Sequence, residues 1–221
     1  MRRPASEVAT GSLFGIALNY KGLLESRLAE FDQPPYQKPP VKPVLFIKTS
    51  NTRNGHDRPV VFPQGVERLQ PGPALGVVIG KEASRVSEDE AMAYVAGYVI
   101  VNEFSLPEDS YYRPAVKAKC RDGFCPFGPD LVPASEIADP HALPLKLFVN
   151  GELRQENTTA NLVRDIPRLI AEISEFMTLH SGDVLITGTP EGRVDVHPGD
   201  EVVVEIEGLG RLHNTIVAEE A

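Results

Sequence analysis

The chain contains no tryptophan, only two cysteines, and no apolar run that approaches the length of a membrane span. Crossing a bilayer takes roughly 18 or more consecutive apolar residues, so no transmembrane helix is expected. Met1-Arg2-Arg3-Pro4 is basic, yet no apolar stretch of signal-peptide type follows it, and a cytoplasmic location is the expectation. Cys120 and Cys125 are a lone pair in a chain this size. Reduced, buried thiols are expected, with a disulfide or a reactive pair left open. Positive charge is also in short supply. With 22 Lys and Arg against 31 Asp and Glu the formal net charge is -9, which argues against a general nucleic-acid binder. The 5 histidines show no metal-ligand spacing. His180 and His197 precede Gly-Asp turns and read as turn residues.

At 221 residues and 42% hydrophobic, the chain can bury one sizeable core, and one domain over residues 1–221 is the natural reading. Its charge is unevenly spread. Residues 1–60 hold nine Lys/Arg and five Asp/Glu, a net of +4; the remainder holds 13 and 26, a net of -13. A second basic group comprises Arg113, Lys117, Lys119 and Arg121. In an acidic protein such a group either steers a small anion or forms a solvated face.

The pattern is mostly strands. Leu13 to Asn19, Val44 to Lys48, Leu75 to Ile79 and Tyr98 to Phe104 are apolar runs of strand length. Leu145 to Val149 alternates and then meets Asn150-Gly151, a strong hairpin turn signal. His180-Ser181-Gly182-Asp183-Val184 and His197-Pro198-Gly199-Asp200-Glu201-Val202 repeat one turn-then-strand pattern. After the second, Val202, Val204 and Ile206 alternate as in a half-buried strand. Two helices are predicted. Ser87-Glu88-Asp89-Glu90 fits a capping box opening a short helix through Tyr94. Pro167 suits the first turn of another, whose apolar face carries Ile166, Leu169, Ile170, Ile173, Phe176 and Met177. Gln33 to Pro43, with five prolines, is a loop.

Leu75 to Ile79, closed by Gly80-Lys81, and Thr187-Gly188-Thr189-Pro190-Glu191-Gly192 resemble motifs of the fumarylacetoacetate hydrolase family. Ala17-Leu18-Asn19-Tyr20, Phe46-Ile47-Lys48 and Gly97-Tyr98 to Asn102 extend the resemblance, in order, over about Phe14 to Val217. Within that family, Tyr111-Tyr112-Arg113-Pro114 and Lys119-Cys120-Arg121-Asp122-Gly123-Phe124-Cys125-Pro126 resemble the isomerase/decarboxylases of homoprotocatechuate (4-hydroxyphenylacetate) breakdown, specifically their N-terminal half. The resemblance implies a mostly β fold with few helices, an α+β mixed β-roll. It also implies chemistry on 2-oxo or 1,3-dicarbonyl acids.

In the family, a Glu-x-Glu pair leads into the strand and, with an Asp that follows an Asn, binds Mg²⁺ or Mn²⁺. Residues i and i+2 of a strand share a face, so both glutamates reach one ion. That ion stabilises, as a Lewis acid, the charge that develops on a carbonyl oxygen. Here the matching positions are Gly72 and Ala74, with Gly76 on the same face, and Glu103 is the only matching carboxylate. One carboxylate is a poor site for a hard cation, so no metal ligand set is expected. Leu23 and Ser26 match the family's acid–base His and its Glu partner, so the usual proton-transfer dyad is missing too.

Lys119 matches a family lysine and is the catalytic candidate, holding a substrate carboxylate or an enolate oxygen. Arg113 can clamp a carboxylate bidentately. Thr189 can offer its backbone N–H or hydroxyl to substrate, and Asn19, Tyr20 and Lys48 match strand-end positions that face the family's pocket. The alternatives are a solvated lysine, a structural ion pair, a structural turn, and core or rim roles. The implied function is a subunit of an isomerase/decarboxylase acting on 2-oxo or 2-hydroxy-diene dicarboxylates, with a degraded metal site and little activity without a partner. It would assemble with itself or with a homologous chain and engage neither nucleic acid nor membrane. A non-catalytic structural or regulatory partner and an acylpyruvate-type hydrolase are the rivals.

Overall fold

Short runs of aliphatic and β-branched residues lay down two sheets. The computed structural model describes residues 2–108 and 110–220. One sheet runs in the order Arg3–Pro4, Cys125–Pro133, Val95–Asn102, Pro73–Ile79, Val184–Ile186, Leu13–Ala17, Val44–Lys48, with Arg53–Asn54 alongside Cys125–Pro133. The other runs Glu152–Thr158, Pro144–Val149, Glu201–Ile206, Gly210–Ala218, Val60–Phe62. Helices are few and short, so the molecule is mostly β, as the sequence pattern implies. No helix among the described residues is long and apolar enough to cross a membrane.

Burial follows the sequence pattern strand by strand. Pro73–Ile79 is buried along its whole length, which accounts for its unbroken apolar run. Glu201–Ile206 alternates, with Val202, Val204 and Ile206 inward. Asn150 and Gly151 take left-handed φ of 51° and 80°, the conformation a tight hairpin turn needs, and pair Glu152–Thr158 with Pro144–Val149. The main apolar cluster draws on both sheets, through Leu75 and Ile100 on one and Leu145 and Val204 on the other. Each such side chain contributes roughly 1.5–3 kcal/mol on burial. Helix Ile166–Ser174 adds Ile166, Leu169, Ile170 and Ile173. Asp165 caps it by accepting the Arg168 N–H at 3.0 Å, an interaction worth about 1 kcal/mol.

Two local expectations need correcting. The capping box at Ser87 does not form. Glu88–Tyr94 is a 3₁₀ helix, and the Glu90 N–H donates to the Ser87 carbonyl instead of its hydroxyl. The freed hydroxyl donates to the Glu90 carboxylate at 2.9 Å. Phe176 is 64% exposed, because the helix ends at Ser174 and its periodicity no longer governs the next turn. Met177 packs, half-buried, against the core.

The repeated Gly-Asp turns do hold. The Asp183 carboxylate accepts the backbone N–H groups of Ser12 at 2.6 Å and His180 at 2.8 Å. Asp200 accepts from the His197 N–H at 2.7 Å and the Asn150 amide at 2.8 Å. Each turn thereby fastens the start of a strand to a neighbouring segment.

Candidate functional site

Several strand ends of the larger sheet converge on a cavity of about 550 Å³. Glu103 follows directly on strand Val95–Asn102, and Lys48 closes Val44–Lys48. Lys119 ends the short helix Val116–Lys119, and Arg193 follows the turn through Thr189 and Gly192. At Gly192 the chain turns with φ +81°, a left-handed value that suits glycine.

These elements gather three cations around one carboxylate. Glu103 Oε1 lies 2.7 Å from Lys48 Nζ, and Oε2 lies 3.0 Å from Lys119 Nζ and 2.5 Å from Arg193 Nη2. The Glu103 side chain is only 1% exposed. Burial alone would raise its pKa. The charges of Lys119, Lys48 and Arg193 outweigh burial and hold the carboxyl well below the usual range. A second carboxylate, Glu108, sits 2.8 Å from Lys119 Nζ. Three cations against two carboxylates leave this corner with a net charge of +1. Arg27 and Arg68 also line the cavity, paired with Glu30 and Asp195 respectively.

Opposite Glu103, the positions expected to carry a carboxylate pair do not line up as ligands. The Gly72 N–H donates to Asn102 Oδ1 at 2.9 Å, and its carbonyl accepts the Glu103 N–H at 2.7 Å. A Cβ at Gly72 would lie 2.4 Å from the Glu103 carbonyl oxygen and 2.9 Å from Arg193 Nη2. Ala74 belongs to an apolar cluster with Val78, Val101, Val184 and Ile186. Among the described residues, no three His, Cys, Asp or Glu side chains gather as a metal site would require. Leu23 and Ser26 both line the cavity, and the Ser26 hydroxyl donates to the Leu23 carbonyl at 2.8 Å. Neither can serve as the missing acid–base pair near neutral pH.

The structure brings some predicted residues to the cavity and keeps others away. Lys119 and Thr189 line it. Lys48 is buried behind the wall, where its ammonium donates to the carbonyls of Phe104, Lys119 and Phe124. Burial holds its pKa below the usual lysine value, an effect that Glu103 offsets only in part. Asn19 spends its amide on the backbone of Arg164 and Thr187. Tyr20 is fully buried, its hydroxyl lacks a partner among the described residues, and its pKa is raised by burial and then by Glu191. Arg113 is exposed and off the cavity wall.

Residues 12–217 match the family pattern of the fumarylacetoacetate (FAA) hydrolase C-terminal region. The chain belongs to the fumarylacetoacetate hydrolase family. A 4-hydroxyphenylacetate degradation bifunctional isomerase/decarboxylase of Salmonella dublin is 51% identical over 215 residues, covering 96% of this chain and 48% of the relative. Its Escherichia coli counterpart is 49% identical over 212 residues, with coverages of 95% and 48%. The chain thus spans about half the length of the curated relatives it matches. The crystal structure of a 5-carboxymethyl-2-hydroxymuconate delta-isomerase from Mycobacterium smegmatis superposes with a TM-score of 0.83 at 31% identity, covering 97% of this chain and 81% of that one.

In this family member, Arg193, Glu108, Arg27 and Arg68 line the cavity without having been singled out by the motifs. Arg193 lies just past the Thr189–Gly192 turn, and no local pattern marks it. Glu108 reaches the cavity from an irregular segment with no periodicity to read. The cysteines remain free thiols, and burial pushes Cys125 up to about 12, which leaves it unreactive near neutral pH.

Proposed function

We propose that the chain is a subunit of an isomerase/decarboxylase acting on 2-oxo or 2-hydroxy-diene dicarboxylates in 4-hydroxyphenylacetate catabolism, with a degraded metal site. The observation that carries this reading is the cavity corner itself. Lys48, Lys119 and Arg193 outnumber Glu103 and Glu108 at this corner, with Lys119 and Arg193 on the wall, whereas Arg27 and Arg68 elsewhere in the lining are paired with acids and Glu191 adds a carboxylate. A dianionic substrate suits such a wall, because fixed cations stabilise negative charge more strongly inside a protein than in water. The high identity to the bifunctional isomerase/decarboxylases supports the reaction class.

The residues present do not fit a divalent cation. Glu103 already has three cationic partners, Gly72 faces Arg193, and Ala74 lies among aliphatic side chains. An octahedral Mg²⁺ keeps several waters but still needs one or two carboxylates free to bind it, and Glu103 is already taken up by its three cations. The cavity also lacks the His–Glu pair for proton transfer. Both features favour a chain that works jointly with a homologous catalytic partner. The rival, a purely structural or regulatory partner, draws on the same loss of the dyad at Leu23 and Ser26.

The test is turnover of a 2-hydroxy-diene dicarboxylate by the purified chain with Mg²⁺, alone and mixed with a homologous subunit, alongside its metal content. Little turnover alone, turnover in the mixture, and less than one ion per chain are expected. Strong turnover by the partner-free chain would remove the need for a partner. A stoichiometric ion on Glu103 would refute the degraded site. A mixture no faster than the partner alone would favour the structural rival.

A further inference from the structure

Three cations surround Glu103, and only one of them has donors to spare. Lys48 is 0% exposed in its side chain, and its ammonium is surrounded by three carbonyls and Glu103. The Lys119 side chain is 4% exposed; its ammonium bridges Glu103 and Glu108 and lies 4.5 Å from the centre of the Phe46 ring. Arg193 differs. Its side chain is 21% exposed and lines the cavity. A guanidinium carries five N–H donors in a planar fork. Glu103 takes one through its carbonyl at 3.2 Å and one through its carboxylate at 2.5 Å. The remaining edge is suited to two neighbouring oxygens, the geometry at which arginine surpasses lysine.

Its position gives the fork a role. Nη2 lies 2.9 Å from where a side chain at Gly72 would begin, beside Thr189 Oγ1 at the same distance from that point. The guanidinium thus fills the space in which a Glu at 72 would have to start, and Glu103 holds it there. We infer that Arg193 is the anion-binding group of the cavity, taking the carboxylate and adjacent 2-oxygen of a 2-oxo dicarboxylate where relatives would use a cation held by glutamates. This rests on the cavity being a 2-oxo dicarboxylate site. It adds that the positive centre is covalently part of the chain, so ligand binding is indifferent to divalent metal.

Oxalate, planar with adjacent oxygens, mimics the enolate of a 2-oxo acid and serves as the probe. Calorimetry on the full chain should give the same affinity for free oxalate in EDTA as in Mg²⁺, once the oxalate complexed by Mg²⁺ in solution is subtracted. Arg193→Gln should weaken binding at least tenfold, and Arg193→Lys should restore part of it through charge without the fork. Since Arg193→Gln strips a partner from buried Glu103, a measurement on the native chain runs beside it. Oxalate should protect Arg193 from phenylglyoxal, read by peptide mass spectrometry, with exposed Arg113 modified equally in both samples. Binding that appears only with Mg²⁺, absence of oxalate binding in both buffers, or unprotected Arg193 would overturn the assignment. The isomerase/decarboxylase reading instead stands or falls on turnover with the partner, so the two failures are distinguishable.

Discussion

Glu103 and Asp183 are both carboxylates removed from water, at 1% and 3% exposure, yet they are satisfied in opposite ways. Asp183 is held by backbone N–H groups of Ser12 and His180, whose positions the strands dictate. Glu103 is held by the ends of three long side chains. A buried ion costs several kcal/mol in lost hydration, and both arrangements offset that cost. Only the second can rearrange. A carboxylate tied to amides is scaffold, whereas cations clustered on a carboxylate at a cavity wall can share themselves with an incoming anion.

The largest effect that can test this contrast is on stability. Replacing Glu103 with Gln leaves Lys48 and Arg193 without a counter-ion and Lys119 with Glu108 alone, so unfolding in urea should show a loss of about 3–5 kcal/mol. The same carboxyl should dominate acid sensitivity. Its folded pKa is depressed below the ordinary glutamate value, about 4.3. Its stabilisation is therefore complete above that value and drains away as pH falls below it. Glu103→Gln should flatten the stability profile in that acidic range, and an unchanged profile would count against the cluster being charged. Asp183→Ala should cost less, about 1–3 kcal/mol for two unpaired N–H groups, and should leave oxalate affinity untouched. A fall in affinity would blur the line between scaffold and site. Smaller again, Glu108→Gln removes a carboxylate that competes for Lys119. Dicarboxylate binding should tighten a few-fold, on the order of 1 kcal/mol. The smallest change is none at all: Arg113→Ala, at an exposed position, should bind dicarboxylates like the unaltered chain, and a tenfold loss would return Arg113 to the site.

Much of the fold is legible in the sequence because strand burial has a period of two and tight turns have a chemistry. Val202, Val204 and Ile206 alternate, Asn150-Gly151 turns, and each Gly-Asp repeat starts a strand. Misreadings occur where one backbone bond decides. At Ser87 a carbonyl competes successfully with a hydroxyl for a single N–H, and at Phe176 the helix ends one turn early. For the site, motif order pointed to Lys119 and Thr189, which both line the cavity, because each lies within a recognisable motif. Arg113 has matching neighbours too, yet it is exposed and outside the cavity lining. Arg193 escaped because a long flexible side chain reaches its target independently of any local pattern. Its meaning appears only when the three-dimensional distance to Gly72 and Glu103 is known.

The crowding at Gly72 ties two distant positions together. A glutamate there would meet a backbone oxygen at 2.4 Å and a guanidinium at 2.9 Å, so it is disfavoured while Arg193 stays. Removing Arg193 alone strips a partner from a buried acid. Either change by itself weakens the protein, so the two residues are a coupled pair: a carboxylate enters this corner only if both change together and the strand shifts slightly.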